Sequence, residues 1–159
     1  MQTAHTIKQI ILWRHADAEI PIMHQEDMAR ALTAKGVKQS RLMAKWLNKY
    51  LPKDTKVLVS PALRALQTAK PLGIKFEVVD ALQPGAQLAH ILAVLDAYAT
   101  DNLMLIGHQP WIGELIAYLL HGQEALVSVK KGAVWWLRLS PDEQGVYKLF
   151  TVQTPQLLD

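Results

Sequence analysis

Three short apolar runs, each stopping abruptly at polar residues, constrain this chain more than any other feature of its sequence. They cover residues 10–13, 57–59 and 103–106, and they lead into Arg14-His15, Ser60 and Gly107-His108. A short run that is apolar at every position is typical of a strand buried on both faces of a sheet. Because helical patterns separate the runs, the sequence predicts a largely parallel sheet whose polar strand ends share one edge.

The segments around these runs supply the other predicted elements. Thr33 is a favourable N-cap for a helix that ends near Leu51, and Ser60-Pro61 favour the start of a second helix. The remaining predicted elements are a strand at 75–79, helices at 86–99 and 110–120, a hairpin of strands at 133–139 and 146–152, and a C-terminal tail. This order predicts a single domain over residues 1–159, with an α/β fold of three α/β/α layers. Its central sheet is mostly parallel and carries a C-terminal antiparallel hairpin.

Composition indicates a globular protein and narrows its partners. The chain has 159 residues, 50% of them hydrophobic, and no cysteine, so disulfides and thiolate metal sites are excluded. The polar start and the lack of a long apolar stretch predict a soluble cytoplasmic protein without membrane association. The net charge of +3 is spread over dispersed lysines, which argues against a nucleic-acid partner and weakly favours an anionic substrate or an acidic protein.

The polar strand ends together form a candidate anion site. Arg14 and His15 follow the first strand, Arg64 lies one helical turn beyond the second, and His108 follows the fourth. Guanidinium groups bind phosphate oxygens in a fork, and an imidazole can attack phosphorus or carry a proton. Helix N-termini at the same edge add N–H groups for an anion. Taken alone, each histidine would suit an ordinary loop and Arg64 an ordinary helix surface, but together these residues indicate a crevice that binds phosphate.

Three segments resemble motifs of the histidine phosphatase superfamily, whose fold is the phosphoglycerate mutase-like fold. The segments are Arg14-His15-Ala16, residues 60–69 (Ser-Pro-Ala-Leu-Arg-Ala-Leu-Gln-Thr-Ala) and Gly107-His108-Gln109-Pro110. Residues 27–36 add a resemblance to the small SixA-like phosphohistidine phosphatases, with Ala31 where that branch has proline. The resemblance extends over about residues 8–140.

This resemblance implies a phosphatase with a phosphohistidine intermediate. His15 would be the nucleophile, Arg14, Arg64 and His108 would bind the phosphoryl oxygens, and Arg30 would make a further phosphate contact. No metal or other cofactor is implied, since side chains provide the positive charge. The implied substrate is phosphohistidine on a partner protein, such as a phosphotransfer domain or a phosphocarrier protein, and phosphate is released.

The general acid is the part of the mechanism that the sequence leaves open. Larger relatives carry a carboxylate in a long insertion after the third strand, whereas here that connection is only residues 80–85. We expect Asp27 to be the best candidate, ahead of Asp17 and Glu19. An imidazole leaving group, with a pKa of about 6.5, depends less on an acid than an alkoxide does. Two alternatives stay open: a phosphatase of small phosphate esters, and a phosphate-binding or phosphoprotein-binding module without turnover.

Overall fold

The computed structural model describes residues 6–122 and 125–159 and contains a six-stranded sheet. The strands are β1 (Gln9–Arg14), β2 (Lys56–Val59), β3 (Glu77–Val78), β4 (Asn102–Gly107), β5 (Val134–Leu139) and β6 (Tyr147–Gln153). Their order across the sheet is β3-β2-β4-β1-β5-β6. The first four strands are parallel, whereas β5 runs antiparallel to both β1 and β6. The predicted mostly parallel sheet with an antiparallel hairpin is therefore confirmed.

Helices cover both faces of this sheet. They are α1 (Ala34–Tyr50), α2 (Leu63–Ala69), α3 (Leu88–Ala97), α4 (Trp111–His121) and α5 (Pro155–Leu158). Side chains from β1 alternate between two apolar clusters: Ile10 and Leu12 pack with α3 and α4, and Ile11 and Trp13 pack with α1 and α2. Both faces of β1 are buried, which explains why its sequence is apolar at every position. No helix in the described ranges is long and apolar enough to cross a membrane.

The predicted N-cap of α1 is confirmed. The packing of the first turn also explains why a glycine, a poor helix former, occurs there. The Thr33 hydroxyl accepts a hydrogen bond from the Gly36 N–H at 3.0 Å and so caps the helix. Gly36 lies in the first turn, and a Cβ there would collide with the backbone carbonyl of Asp17. The helix start thus packs directly on the segment that follows His15.

Three elements differ from the sequence-based expectation. The third strand is shorter than expected, Glu77–Val78, and lies at the edge of the sheet, where it pairs with β2. The second helix begins at Leu63 with Ala62 as its N-cap, because the hydroxyl of Ser60 accepts from the Ala62 N–H outside the helix. The C-terminus is a helical turn rather than a tail, since its Pro155 is buried.

Candidate functional site

The carboxyl ends of β1, β2 and β4 bring the predicted site residues together. Arg14 ends β1, His15 follows it, Arg64 lies in the first turn of α2, and His108 follows β4. The imidazole rings of His15 and His108 have centroids 5.2 Å apart. His15, Arg64 and His108 are only 6%, 3% and 2% exposed. The expectation that both histidines occupy the same sheet edge is confirmed.

One nitrogen of the His15 imidazole is hydrogen-bonded to the backbone, and the other is left with a lone pair that can react. Its Nδ1 lies 2.8 Å from the Ala16 carbonyl oxygen, which can only accept, so Nδ1 carries the proton. Burial is the main cause that lowers the pKa of His15 to about 4; the bond to Ala16 opposes it, and the charges of Arg64 and Arg14 act with it. His15 is therefore neutral at pH 7, and its Nε2 presents a lone pair, as a nucleophile requires.

Asp27 fixes the guanidinium of Arg64. Arg64 donates from Nη1 to the Asp27 carbonyl oxygen at 2.8 Å and from Nη2 to Asp27 Oδ2 at 3.0 Å. Asp27 Oδ1 accepts from Arg30 Nε at 3.0 Å, so the same carboxylate holds two arginines. On the other side of the site, Arg14 donates from Nη1 to the Val129 carbonyl at 2.8 Å. The cationic side chains are thus oriented by the protein itself.

Buried side-chain nitrogens without a protein partner are concentrated at this site. Within the described part of the chain, the buried side-chain atoms without a partner are Arg14 Nε, Arg64 Nε, His108 Nδ1 and Trp111 Nε1. Three of these atoms belong to residues that the sequence assigns to phosphate binding. Because buried polar groups are nearly always hydrogen-bonded, such a group of atoms indicates a ligand with several oxygen acceptors. A phosphoryl group has this character.

His108 contacts a serine that the sequence pattern favours as the N-cap of a helix. Its Nε2 lies 2.7 Å from Ser60 Oγ. Burial first, and then the charges of His15 and Arg64, lower the pKa of His108 to about 3, although Asp27 partly opposes them. One signal in the sequence would have revealed this contact. Ser60 directly follows β2, which is the position that His15 and His108 occupy after their own strands.

The acid candidates occupy different environments. Partial burial raises the pKa of Asp27, but the hydrogen bonds and charges of Arg64 and Arg30 outweigh it and hold that pKa below its usual value. Asp17 accepts from the Thr33 hydroxyl at 2.8 Å and from Lys131 Nζ at 3.2 Å, and these bonds, Thr33 first, also lower its pKa. Glu19 is exposed, and its backbone carbonyl accepts from Arg30 Nη1. The structure therefore brings Asp27 into direct contact with Arg64, whereas the choice of acid stays a prediction.

The end of the Arg-Ala-Leu-Gln-Thr motif ties α2 to the loops around the site. Thr68 Oγ1 accepts from the Ala16 N–H at 3.0 Å and donates to the Arg64 carbonyl at 2.7 Å. Gln67 Oε1 accepts from the Leu32 N–H at 2.7 Å. These contacts fix the loop after β1 relative to Arg64. Among the residues that the structure describes, no group of three or more His, Cys, Asp or Glu side chains could hold a metal ion.

The chain matches one protein-family model and several known proteins. The family model described as "Histidine phosphatase superfamily (branch 1)" matches residues 10–85. Phosphohistidine phosphatase SixA of Escherichia coli (strain K12) is 35% identical over 124 residues, which cover 72% of this chain and 76% of that protein. The phosphohistidine phosphatase SixA homolog of Haemophilus influenzae is 31% identical over 126 residues, which cover 69% of this chain and 76% of its own length.

Solved structures match over nearly the whole chain. The structure of the protein histidine phosphatase SixA complexed with tungstate has a TM-score of 0.78 and 30% identity, covering 95% of this chain and 99% of its own. A phosphoserine phosphatase mutant from Entamoeba histolytica shares the fold, with a TM-score of 0.71, but only 14% of the sequence, over 94% of this chain and 98% of its own.

Proposed function

Since this chain belongs to the histidine phosphatase superfamily, we propose that it is a phosphatase that hydrolyses phosphohistidine on a partner protein. The observation that carries this proposal is the group of buried nitrogens without a protein partner around a neutral His15. Arg14 Nε, Arg64 Nε and His108 Nδ1 have no partner among the described residues. The similarity to proteins named phosphohistidine phosphatase SixA indicates the substrate class.

In the first step, His15 takes the phosphoryl group. The lone pair of His15 Nε2 forms a bond to phosphorus while the P–N bond of the substrate breaks. The electron pair of that bond stays on the leaving nitrogen, and the substrate ring departs as neutral imidazole because its other nitrogen already carries a proton. Charge on the phosphoryl oxygens is stabilised by Arg14, Arg64 and His108, because phosphoryl transfer depends mostly on positioning and electrostatic stabilisation. Arg30 is 18% exposed at its side chain and serves as a further phosphate contact at the rim.

In the second step, water regenerates the enzyme. Its oxygen attacks phosphorus, the bond between phosphorus and His15 Nε2 breaks, and the electron pair returns to Nε2. Inorganic phosphate leaves with the added oxygen, and the protons of the attacking water stay on the phosphate or pass to solvent. Since imidazole is a good leaving group, neither step depends on a strong general acid. The acid candidates Asp27, Asp17 and Glu19 therefore have a supporting role in this proposal.

The partner in this proposal is a phosphohistidine-bearing protein, such as a phosphotransfer domain or a phosphocarrier protein, in the cytoplasm. Its support is a set of apolar side chains close to the site in sequence and structure. Ile20, Ile22 and Met23 are 81%, 67% and 85% exposed, in a loop that a bond from Arg30 to the Glu19 carbonyl connects to the site. Exposed apolar side chains that cluster in this way are typical of surfaces that contact other proteins.

One comparison of substrates tests the proposal. The purified chain is given a protein phosphorylated on histidine, phosphoimidazole, a serine phosphopeptide and p-nitrophenyl phosphate, with His15→Ala as the control. We expect the first two to be hydrolysed by the wild type alone and the two esters to react far more slowly. Faster turnover of either ester would favour a small-ester phosphatase. Binding of phosphate without turnover of any substrate would favour a binding module.

A further inference from the structure

Ser60 is a buried serine whose hydroxyl lies between a backbone N–H and the ring of His108. Ser60 as a whole is 0% exposed. Its Oγ accepts from the Ala62 N–H at 3.2 Å and lies 2.7 Å from His108 Nε2. A serine hydroxyl has one hydrogen to donate and two lone pairs to accept with. The contact with His108 therefore has two possible directions, and the surroundings distinguish them.

The hydroxyl hydrogen of Ser60 needs an acceptor. In the described ranges, Oγ has contacts with the Ala62 N–H, which can only donate, and with His108 Nε2. If Nε2 carried a proton and donated to Oγ, the buried hydroxyl hydrogen would lack an acceptor, which is unfavourable. If Nε2 is bare, the hydroxyl donates to it and both partners are satisfied. The second arrangement is therefore the stable one.

We propose that Ser60 is a positioning residue that holds neutral His108 in the tautomer with its proton on Nδ1, where it donates to a phosphoryl oxygen. This proposal rests on the proposed function for the identity of the anion. His108 Nδ1 is buried and has no partner in the part of the chain that is described. In the other tautomer that nitrogen would present a lone pair to the phosphoryl oxygens and repel them. The serine thus decides whether His108 attracts or repels the substrate.

The low pKa of His108, about 3, makes this choice of tautomer important. A doubly protonated imidazole donates from both nitrogens, so its orientation would need no such control. In the free protein at pH 7, however, His108 has a single proton. One contact 2.7 Å long, made by a residue at the end of the neighbouring strand, places that proton.

The direct test uses ¹⁵N nuclear magnetic resonance to determine which ring nitrogen of His108 carries the proton. The spectra are recorded with and without inorganic tungstate. We expect a protonated Nδ1 and a bare Nε2 in the wild type, and a smaller population of that tautomer in Ser60→Ala. The matched control is Ser40→Ala, a buried serine 1% exposed whose hydroxyl donates to the Val37 carbonyl, away from His108. A wild-type His108 with its proton on Nε2 would overturn the proposal. This measurement needs no turnover, so it stays decisive even if phosphohistidine is not the substrate.

A double-mutant cycle with His108→Ala separates positioning from a structural role. We expect Ser60→Ala to lower kcat by roughly tenfold, less than the 10²–10³-fold cost of losing a whole oxyanion donor. Once His108 is alanine, Ser60→Ala should cost nothing further, because the serine acts through the ring. Tungstate affinity should follow the same pattern, with Ser40→Ala unchanged throughout. Equal costs of Ser60→Ala in both backgrounds would mean that the serine merely supports the start of α2, which contradicts the proposal.

Discussion

Asp27 binds the guanidinium of Arg64 twice, through its carbonyl oxygen at 2.8 Å and its Oδ2 at 3.0 Å. Two of the guanidinium nitrogens are thereby occupied, and Nε has no partner among the described residues. The same carboxylate binds Arg30 at 3.0 Å through its other oxygen. Both arginines lower the pKa of Asp27 below its usual value against the effect of partial burial. In the free protein, Asp27 is therefore an ionised carboxylate that orients an arginine.

Asp27→Asn should slow hydrolysis of phosphohistidine by less than about tenfold, below the usual 10²–10⁴-fold contribution of a general acid. The asparagine keeps the backbone carbonyl bond to Arg64 and one side-chain oxygen acceptor. Asp17→Asn, compared under the same conditions, should also cost less than about tenfold. The measurement is kcat/KM on phosphohistidine and on an ester with a poor leaving group, where we expect larger effects. A thousandfold loss on phosphohistidine would identify a dedicated acid and favour the small-ester phosphatase.

Arg64→Ala should weaken tungstate binding by about ten- to hundredfold, since a hydrogen bond to a charged group contributes about 1.5–3 kcal/mol. Isothermal titration calorimetry measures the dissociation constant directly. Arg138→Ala is the matched control, because that guanidinium lies 3.4 Å from the Phe150 ring centroid on β5 and β6, away from the site. Equal affinities of wild type and Arg64→Ala would contradict the assignment of Arg64.

His15→Ala should abolish turnover, because it removes the nitrogen that accepts the phosphoryl group. The fold should persist, and tungstate should still bind to the donors of Arg14, Arg64 and His108. In the wild type, quenching during turnover should trap an acid-labile phosphoprotein with the phosphoryl group on His15, detected by mass spectrometry. A phosphoryl group found on His108 instead would exchange the proposed roles of the two histidines.

Stability should fall as the pH decreases from about 6.5 toward 4. The pKa of His15 is lowered from 6.5 to about 4, and that of His108 from 6.5 to about 3, so the unfolded chain binds more protons in this window. Each histidine should lower the free energy of unfolding by about 1.4 kcal/mol per pH unit there. Urea denaturation between pH 7 and 5 tests this, and His108→Asn should reduce the slope. A pH-independent stability would show that both rings titrate normally in the folded protein.

Gly107→Ala should destabilise the protein by about 1–3 kcal/mol, the usual cost of overpacking. A Cβ at residue 107 would collide with the indole of Trp111, which is 0% exposed and has no room to move outward. His108 follows directly, so tungstate affinity should fall as well. Denaturant unfolding of Gly107→Ala, Trp111→Leu and the double variant provides the check. If the double variant loses as much free energy of unfolding as the two single variants together, the collision with Trp111 is not what destabilises Gly107→Ala.

Much of the fold was predictable because the strands are buried on both faces. Ile10 to Trp13 are all 0% exposed, and such a run has few other interpretations. The positions of His15 and His108 then follow from parallel pairing alone. The cap at Thr33 is predictable from sequence because its bond to Gly36 spans only three residues.

The contacts that orient the site were not predictable, since they join residues far apart in the chain. Asp27 and Arg64 are 37 positions apart, and Arg14 is 115 positions from the Val129 carbonyl that binds it. Local patterns carry no information about such pairs. The same limitation explains the helix start at Leu63: the sequence favours Ser60 as a cap, but its hydroxyl binds His108, 48 positions away.

The order of strands has a consequence for how this protein is made. Among the described residues, β1 has no neighbouring strand within positions 6–100, because the strands it pairs with there are β4 and β5. As the chain leaves the ribosome, Arg14, His15 and Arg64 emerge well before the strand that joins β1 to β2. Contacts over such long separations form slowly because loop closure is costly. We therefore expect the candidate phosphate site to be completed only after residues 102–107 have been synthesised and inserted at the centre of the sheet.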